Sequence, residues 1–122
     1  MDLALQFPSA RRIAAALEGQ DIRVPAHFDA EVFAAVRRLV RRRIIGVDRA
    51  GLALLRNARL VAGRVSLLPL YAEAFNVRDR FGPADVFYAV LARSLSATLV
   101  TSDAALARAA RGYVDVRYVA AA

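Results

Sequence analysis

An α/β sandwich built on a parallel sheet is the fold class this sequence predicts, and three observations predict it. Short β-prone runs alternate with longer amphipathic ones, the order of strands and helices in a parallel sheet. The hydrophobic share is 58%, rich in Ala, Val and Leu, enough for a real core in a single domain of 122 residues. No internal repeat, linker or low-complexity segment divides the chain, apart from a short Ala tail.

The stretch Phe81–Asp103, FGPADVFYAVLARSLSATLVTSD, carries this plan most clearly. Gly82-Pro83 is turn chemistry, and Pro suits a first helical turn because its missing N–H would be an orphan there. Val86, Ala89, Val90 and Leu91 repeat at helical spacing, with Phe87 and Tyr88 widening the apolar face. Thr98–Thr101 is a compact β-prone run, and Asp103 stands just past its end. One carboxylate thus heads a helix, and another follows the carboxyl end of a strand, where open α/β sheets bind their ligands.

The remaining elements follow in order. Ser9–Leu17 reads as a helix, with Ser9 as its cap and Gly19 as its stop. Ile22–Pro25 is a short strand ended by its Pro. Phe28–Arg43 is the longest helical pattern, with Phe28, Val32, Val36, Leu39 and Val40 along one side and Gly46 breaking it. Asp48–Leu60 makes another helix. Val65–Leu68 reads as a strand limited by Pro69, and Leu70–Arg78 as a short helix. After Asp103, Leu106–Ala110 is helical and Val114–Val119 is a final strand.

Composition excludes several classes. The chain has no cysteine, hence no disulfide framework and no thiolate metal site. No apolar run approaches bilayer length, and no basic-then-apolar signal pattern opens the sequence, so a cytoplasmic location is expected. All 18 basic residues are Arg, and the formal net charge is +7. The missing Lys fits a GC-rich coding bias. The excess of Arg fits polyanionic partners, RNA, DNA or an acidic protein segment, because the guanidinium forks onto phosphates and carboxylates.

Three acids stand near element ends. Glu31 borders the apolar stripe of its helix, where a carboxylate is unusual unless paired or coordinated, although a solvated first-turn Glu also favours the helix dipole. Asp85 lies in a first helical turn, suited to dipole stabilisation or capping. Asp103 is placed for an N-cap, and Thr101 or Ser102 beside it could cap instead. As a set they point to a hard-cation site, since Mg²⁺ takes oxygen ligands and a carboxylate cluster without a cation repels itself. His27 suits a turn or cap, or a donor to phosphate. Nothing supplies a Ser/His/Asp set, a Gly-rich phosphate loop or zinc-spaced His pairs. The Arg37–Arg43 cluster reads as a solvated helix C-terminus or as an RNA contact.

PAHFDAEVFAAVRRLVRR (Pro25–Arg42) and PADVFYAVLARSLSATLVTSDAALARAA (Pro83–Ala110) resemble the PIN domain of VapC-type toxins, the ribonuclease halves of toxin–antitoxin pairs. The resemblance runs along essentially the whole chain, in the order Glu, then Asp-x-x-Tyr-x-x-x-Ala, then Thr-x-Asp. It implies a three-layer α/β/α sandwich and a metal-dependent endoribonuclease that cuts RNA with metal-activated water. It also implies a homodimer held inactive by a cognate antitoxin. By the resemblance Glu31, Asp85 and Asp103 match three of the family's four acidic positions around Mg²⁺ or Mn²⁺. The fourth is an Asp ending a first, central strand. Met1–Leu5 matches the helix after that strand, so Asp2 does not take the ligand role. The expectation is an N-terminally incomplete PIN-like domain over 1–122, impaired in metal binding and stability, with an RNA- or protein-binding module as the alternative.

Overall fold

The structure, a computed structural model, describes residues 19–120. The helix expected over Ser9–Leu17 and the position of Asp2 lie outside them. Gly19 is in the left-handed region at φ 75°, where a residue without Cβ is at no disadvantage. The order is β1 (Arg23–Pro25), α1 (Phe28–Arg41), α2 (Val47–Leu60), β2 (Gly63–Val65), a 3₁₀ turn (Leu68–Leu70) and α3 (Tyr71–Asn76). Then come α4 (Asp85–Ser94), β3 (Leu99–Thr101), α5 (Ala104–Ala110) and β4 (Val116–Tyr118). Helices and parallel strands alternate as the sequence pattern requires, in an α/β/α arrangement.

The described strands form two parallel ladders. Val24 stands opposite Arg64 in one, and Val100 opposite Arg117 in the other. In a parallel ladder alternate residues turn their backbone groups to opposite sides. Ile22 O accepts from Ala62 N, and Ala26 N donates to Val65 O, so Arg23 and Pro25 turn away from β2. Leu99 N donates to Asp115 O, and Val119 N to Thr101 O, so Thr98 and Val100 turn away from β4. These four residues line a common cleft of about 630 Å³, with Tyr88 and Leu91 of α4 beside them.

Helix α4 packs against both β1 and β3. Its Val86, Tyr88, Ala89, Val90, Leu91 and Ala92 are all buried, so the helix is apolar nearly all round, as an interior helix must be. Full burial of a side chain such as Val90 or Leu91 stabilises by about 1.5–3 kcal/mol. From the other side α1 sends Phe28, Val32 and Val36 into the same core.

Most bounds shift by one or two residues from the sequence expectation, and two of the shifts have a plain cause in the backbone. The long helix was expected to reach Arg43 and be broken by Gly46, but it ends at Arg41. Ile44 N donates to Leu39 O and Arg43 N to Val40 O, a Schellman closure with Arg43 at φ 57° in the position usually taken by Gly. The same closure ends α4 at Ser96, φ 50°. The strand expected over Val65–Leu68 lies instead at Gly63–Val65, because that is where β1 offers partners. Leu68 belongs to the 3₁₀ turn, which Pro69 favours by its fixed φ.

Phe28 has no exposed surface. Phe28→Ala is expected to cost about 3–5 kcal/mol of unfolding free energy, measured by urea denaturation, because the cavity between α1 and its neighbours cannot close.

Candidate active site

The three acids come from three elements that the core brings together. Glu31 is one turn into α1, just after β1; Asp85 opens α4; Asp103 lies between β3 and α5. Each therefore sits where a strand end or helix start meets the ends of the others.

Glu31 is half-buried and fixed. Tyr88 Oη donates to its Oε1 at 2.6 Å, across 57 positions of sequence. The sequence reading took Tyr88 as part of an apolar face, and its ring is indeed buried, but its hydroxyl serves the site. Burial and then the bond to Glu31 push the Tyr88 phenol far above its ordinary range, so it remains a donor. The Asp85–Tyr88 spacing, one helical turn on a single face, was the signal available in the sequence.

His27 occupies the N-cap position of α1 without a side-chain cap bond. Its Nε2 donates to Ala84 O at 3.0 Å and lies 3.5 Å from Glu31 Oε1. The ring packs edge-on to Tyr88 and Phe87. So the residue expected to cap its own helix instead ties β1 and α1 to the start of α4, next to Asp85. Its Nδ1 is buried without a partner among the described residues.

Asp103 is the cap of α5, as its position predicted. Its Oδ1 accepts from Ala105 N at 2.9 Å and Leu106 N at 3.1 Å, and Thr101 Oγ1 accepts from Asp103 N. Thr101 thus positions the acid and does not replace it. Both cap bonds fall on Oδ1, and both contacts of Glu31 fall on Oε1, so each acid keeps an oxygen outside these bonds.

Asp85 is different in kind. It is half-buried, and its carboxylate takes no hydrogen bond or ion pair from the described residues. Burial raises its pKa above the ordinary carboxylate value, and the charges of Asp103 and Glu31 push the same way, against a smaller pull from His27. Asp103 and Glu31 are therefore each in electrostatic range of Asp85. Among the described residues, however, no three His, Asp or Glu side chains converge closely enough to hold a metal ion between them. The all-oxygen donor set, with Asp85 free of hydrogen bonds from the described residues, fits a hydrated hard cation that takes one or two carboxylates and completes its shell with water and phosphate.

The PIN domain family model matches residues 3–112. The chain belongs to the PIN-domain family. Its similarity is to the VapC branch. Ribonuclease VapC12 of Mycobacterium tuberculosis (strain ATCC 25618 / H37Rv) is 34% identical over 121 residues, covering 98% of this chain and 93% of that one. Ribonuclease VapC3 of the same strain is 38% identical over 85 residues, 70% of this chain and 62% of its own length. Ribonuclease VapC9 is 31% identical over 94 residues, 77% and 72% of the two chains. No solved structure matches. No helix among the described residues of this PIN domain is long and apolar enough to cross a membrane.

Two stability outcomes follow from this geometry. A carboxyl whose folded pKa is raised keeps its proton where the unfolded chain has lost it. Asp85 therefore contributes stability below the ordinary carboxylate pKa that is lost as pH rises through the folded value. In metal-free buffer Asp85→Asn is expected to raise the melting temperature at neutral pH and to flatten its fall between acid and neutral pH. Asp103→Ala is expected to cost about 1 kcal/mol through loss of the cap, while Asp103→Ser keeps a capping oxygen and stays within a few tenths, both measured by urea denaturation.

Proposed function

We propose that this chain is a metal-dependent endoribonuclease, the toxin component of a type II toxin–antitoxin system. The observation that carries the reading is Asp85, a half-buried carboxylate without a hydrogen-bond donor among the described residues, raised chiefly by burial and further by Asp103 and Glu31, with the charge of His27 opposing. The relatives named as ribonucleases support the same substrate class.

In this reading Glu31, Asp85 and Asp103 are the metal-holding and catalytic acids for Mg²⁺ or Mn²⁺. When bound, the cation supplies positive charge to the phosphoryl oxygens and makes water a better nucleophile. Tyr88 holds Glu31 in one orientation, and Thr101 and the start of α5 hold Asp103. Asp85 has no hydrogen bond or ion pair with the described residues to give up when it takes a ligand. Its desolvation strengthens any contact it makes, because the local dielectric is low. RNA is the substrate. The other partners in this reading are a cognate antitoxin presenting an acidic or Arg-bearing segment and a second copy forming a homodimer.

A second reading, a PIN-like RNA- or protein-binding module without catalysis, draws on the looser spacing of the acids, which form no ready cage of three among the described residues.

Cleavage of a mixed structured RNA with Mg²⁺, with Mn²⁺ and with chelator separates the two. The nuclease reading expects cutting that chelator abolishes, that Asp85→Asn reduces at least about a hundredfold, and that the stably folded Asp103→Ser variant also reduces. Cutting that survives chelator or Asp85→Asn refutes the metal mechanism. RNA binding without divalent dependence or cleavage, in a folded protein, establishes the binding module.

A further inference from the structure

Among the described residues, several arginines are tied into the fold and others are not. Arg64 forks onto Asp29 at 2.6 and 2.9 Å, and Arg23 pairs with Asp21 at 3.0 Å. Arg80 donates to the carbonyls of Ala109 and Arg111, and Arg93 to that of Tyr113. These side chains hold elements together. Arg37, Arg38, Arg41, Arg42 and Arg43 do not: all are exposed, and none has a side-chain hydrogen bond or ion pair with the described residues.

A helix C-terminus rewards a cation in its last turn, but the effect fades beyond it and one or two charges suffice. Five guanidiniums crowded at one pole repel each other instead. The backbone adds a second observation, because Arg43 occupies a left-handed position, φ 57°, that costs an L-residue with a Cβ and is usually left to Gly. Fold stability does not account for an arginine there.

Helical geometry sorts the cluster. At 100° per residue, Arg38 and Arg42 fall within about 20° of Glu31 around the axis of α1, about 10 and 16 Å further along it. Arg37 and Arg41 point about 80–120° away. A border stripe of α1 therefore runs from a proposed catalytic carboxylate, past the exposed Ala34 and along the edge of the buried Ala35, to two guanidiniums without a partner among the described residues.

We propose that Arg38 and Arg42 form a phosphate-binding stripe that holds a single-stranded RNA backbone along α1, leading away from the acids. The choice of RNA over an acidic protein segment rests on the geometry. RNA carries a phosphate at every step, so one continuous strand meets both guanidiniums and the acid end together. An acidic peptide would need carboxylates at matching intervals. The assignment rests on the nuclease reading only for the identity of the acid end. Binding at the stripe needs no divalent cation, whereas cleavage does.

The test is fluorescence anisotropy with a short labelled mixed-sequence single-stranded RNA in chelator, across a salt series. Arg38→Ala/Arg42→Ala is expected to weaken binding about tenfold or more near 0.1 M salt and to reduce the salt slope by about 1.4, at roughly 0.7 per phosphate. Arg38→Lys/Arg42→Lys restores most of the affinity. Arg37→Ala/Arg41→Ala removes the same charge and changes affinity by less than about threefold. Equal losses in the two alanine pairs, or none in the first, overturn the stripe, as does polyglutamate binding the same pair as tightly as RNA. Stripe-dependent RNA binding by a wild-type chain that cuts nothing with Mg²⁺ or Mn²⁺ upholds the stripe and defeats the nuclease reading. Unchanged KM for cleavage in Arg38→Ala/Arg42→Ala does the reverse.

Discussion

Two strand pairs that share no backbone bonds among the described residues are held in one body by a helix packed against both. That helix is α4, and its burial on nearly every face is the constraint on which the site depends. Each apolar side chain it buries favours a single placement, because interiors are close-packed and tolerate little sliding. The same placement carries Asp85 to the head of the helix and Tyr88 one turn inward. Asp85 is consequently desolvated as a by-product of packing, and Tyr88 is brought within 2.6 Å of Glu31. Core and site are two consequences of one docking.

The treatment of charge elsewhere makes Asp85 stand out. Asp29 is held below the ordinary carboxylate range, chiefly by its bond to Arg64. Glu73 is lowered chiefly by the Tyr113 hydroxyl, which donates at 2.6 Å and is itself pushed up to about 12 by burial and this bond. Both acids are satisfied at the surface of the fold. Asp85 is more enclosed than either and has no such partner among the described residues, and its desolvation opposes stability. Burial of an uncompensated charge is a frequent mark of a functional group, since the missing partner is then supplied by a ligand. Glu31 and Asp103 occupy the middle ground, each with one oxygen committed to the fold.

Arginine does two jobs in this chain, and contacts distinguish them where composition could not. Arg80 and Arg93 cap carbonyls and lie over the Tyr113 ring, at 5.3 and 4.5 Å from its centroid, acting as internal struts. The cluster at the end of α1 makes no such contact with the described residues. These guanidiniums stand at one pole of a helix whose other end carries acids, a polarity suited to drawing in a polyanion.

Periodicity made the helices legible. The spacing of Val86, Ala89 and Val90, the stripe of α1, the cap at Asp103 and the strand at Leu99–Thr101 all follow from neighbours within a few residues, and the structure has them there. The candidacy of Glu31, Asp85 and Asp103 was also local, because each stands at an element boundary. What the sequence could not settle depends on partners far along the chain. The Gly63–Val65 strand begins and ends where β1 offers hydrogen bonds, not where β-prone residues run. His27 gave up its own helix cap for a carbonyl 57 positions away, and Tyr88 turned from core residue to support for Glu31 over the same separation. Local chemistry determined the elements and nominated the acids. Which acid would be half-buried without a partner among the described residues, and which side chains would hold the others still, was decided only when α4 was packed between the two strand pairs.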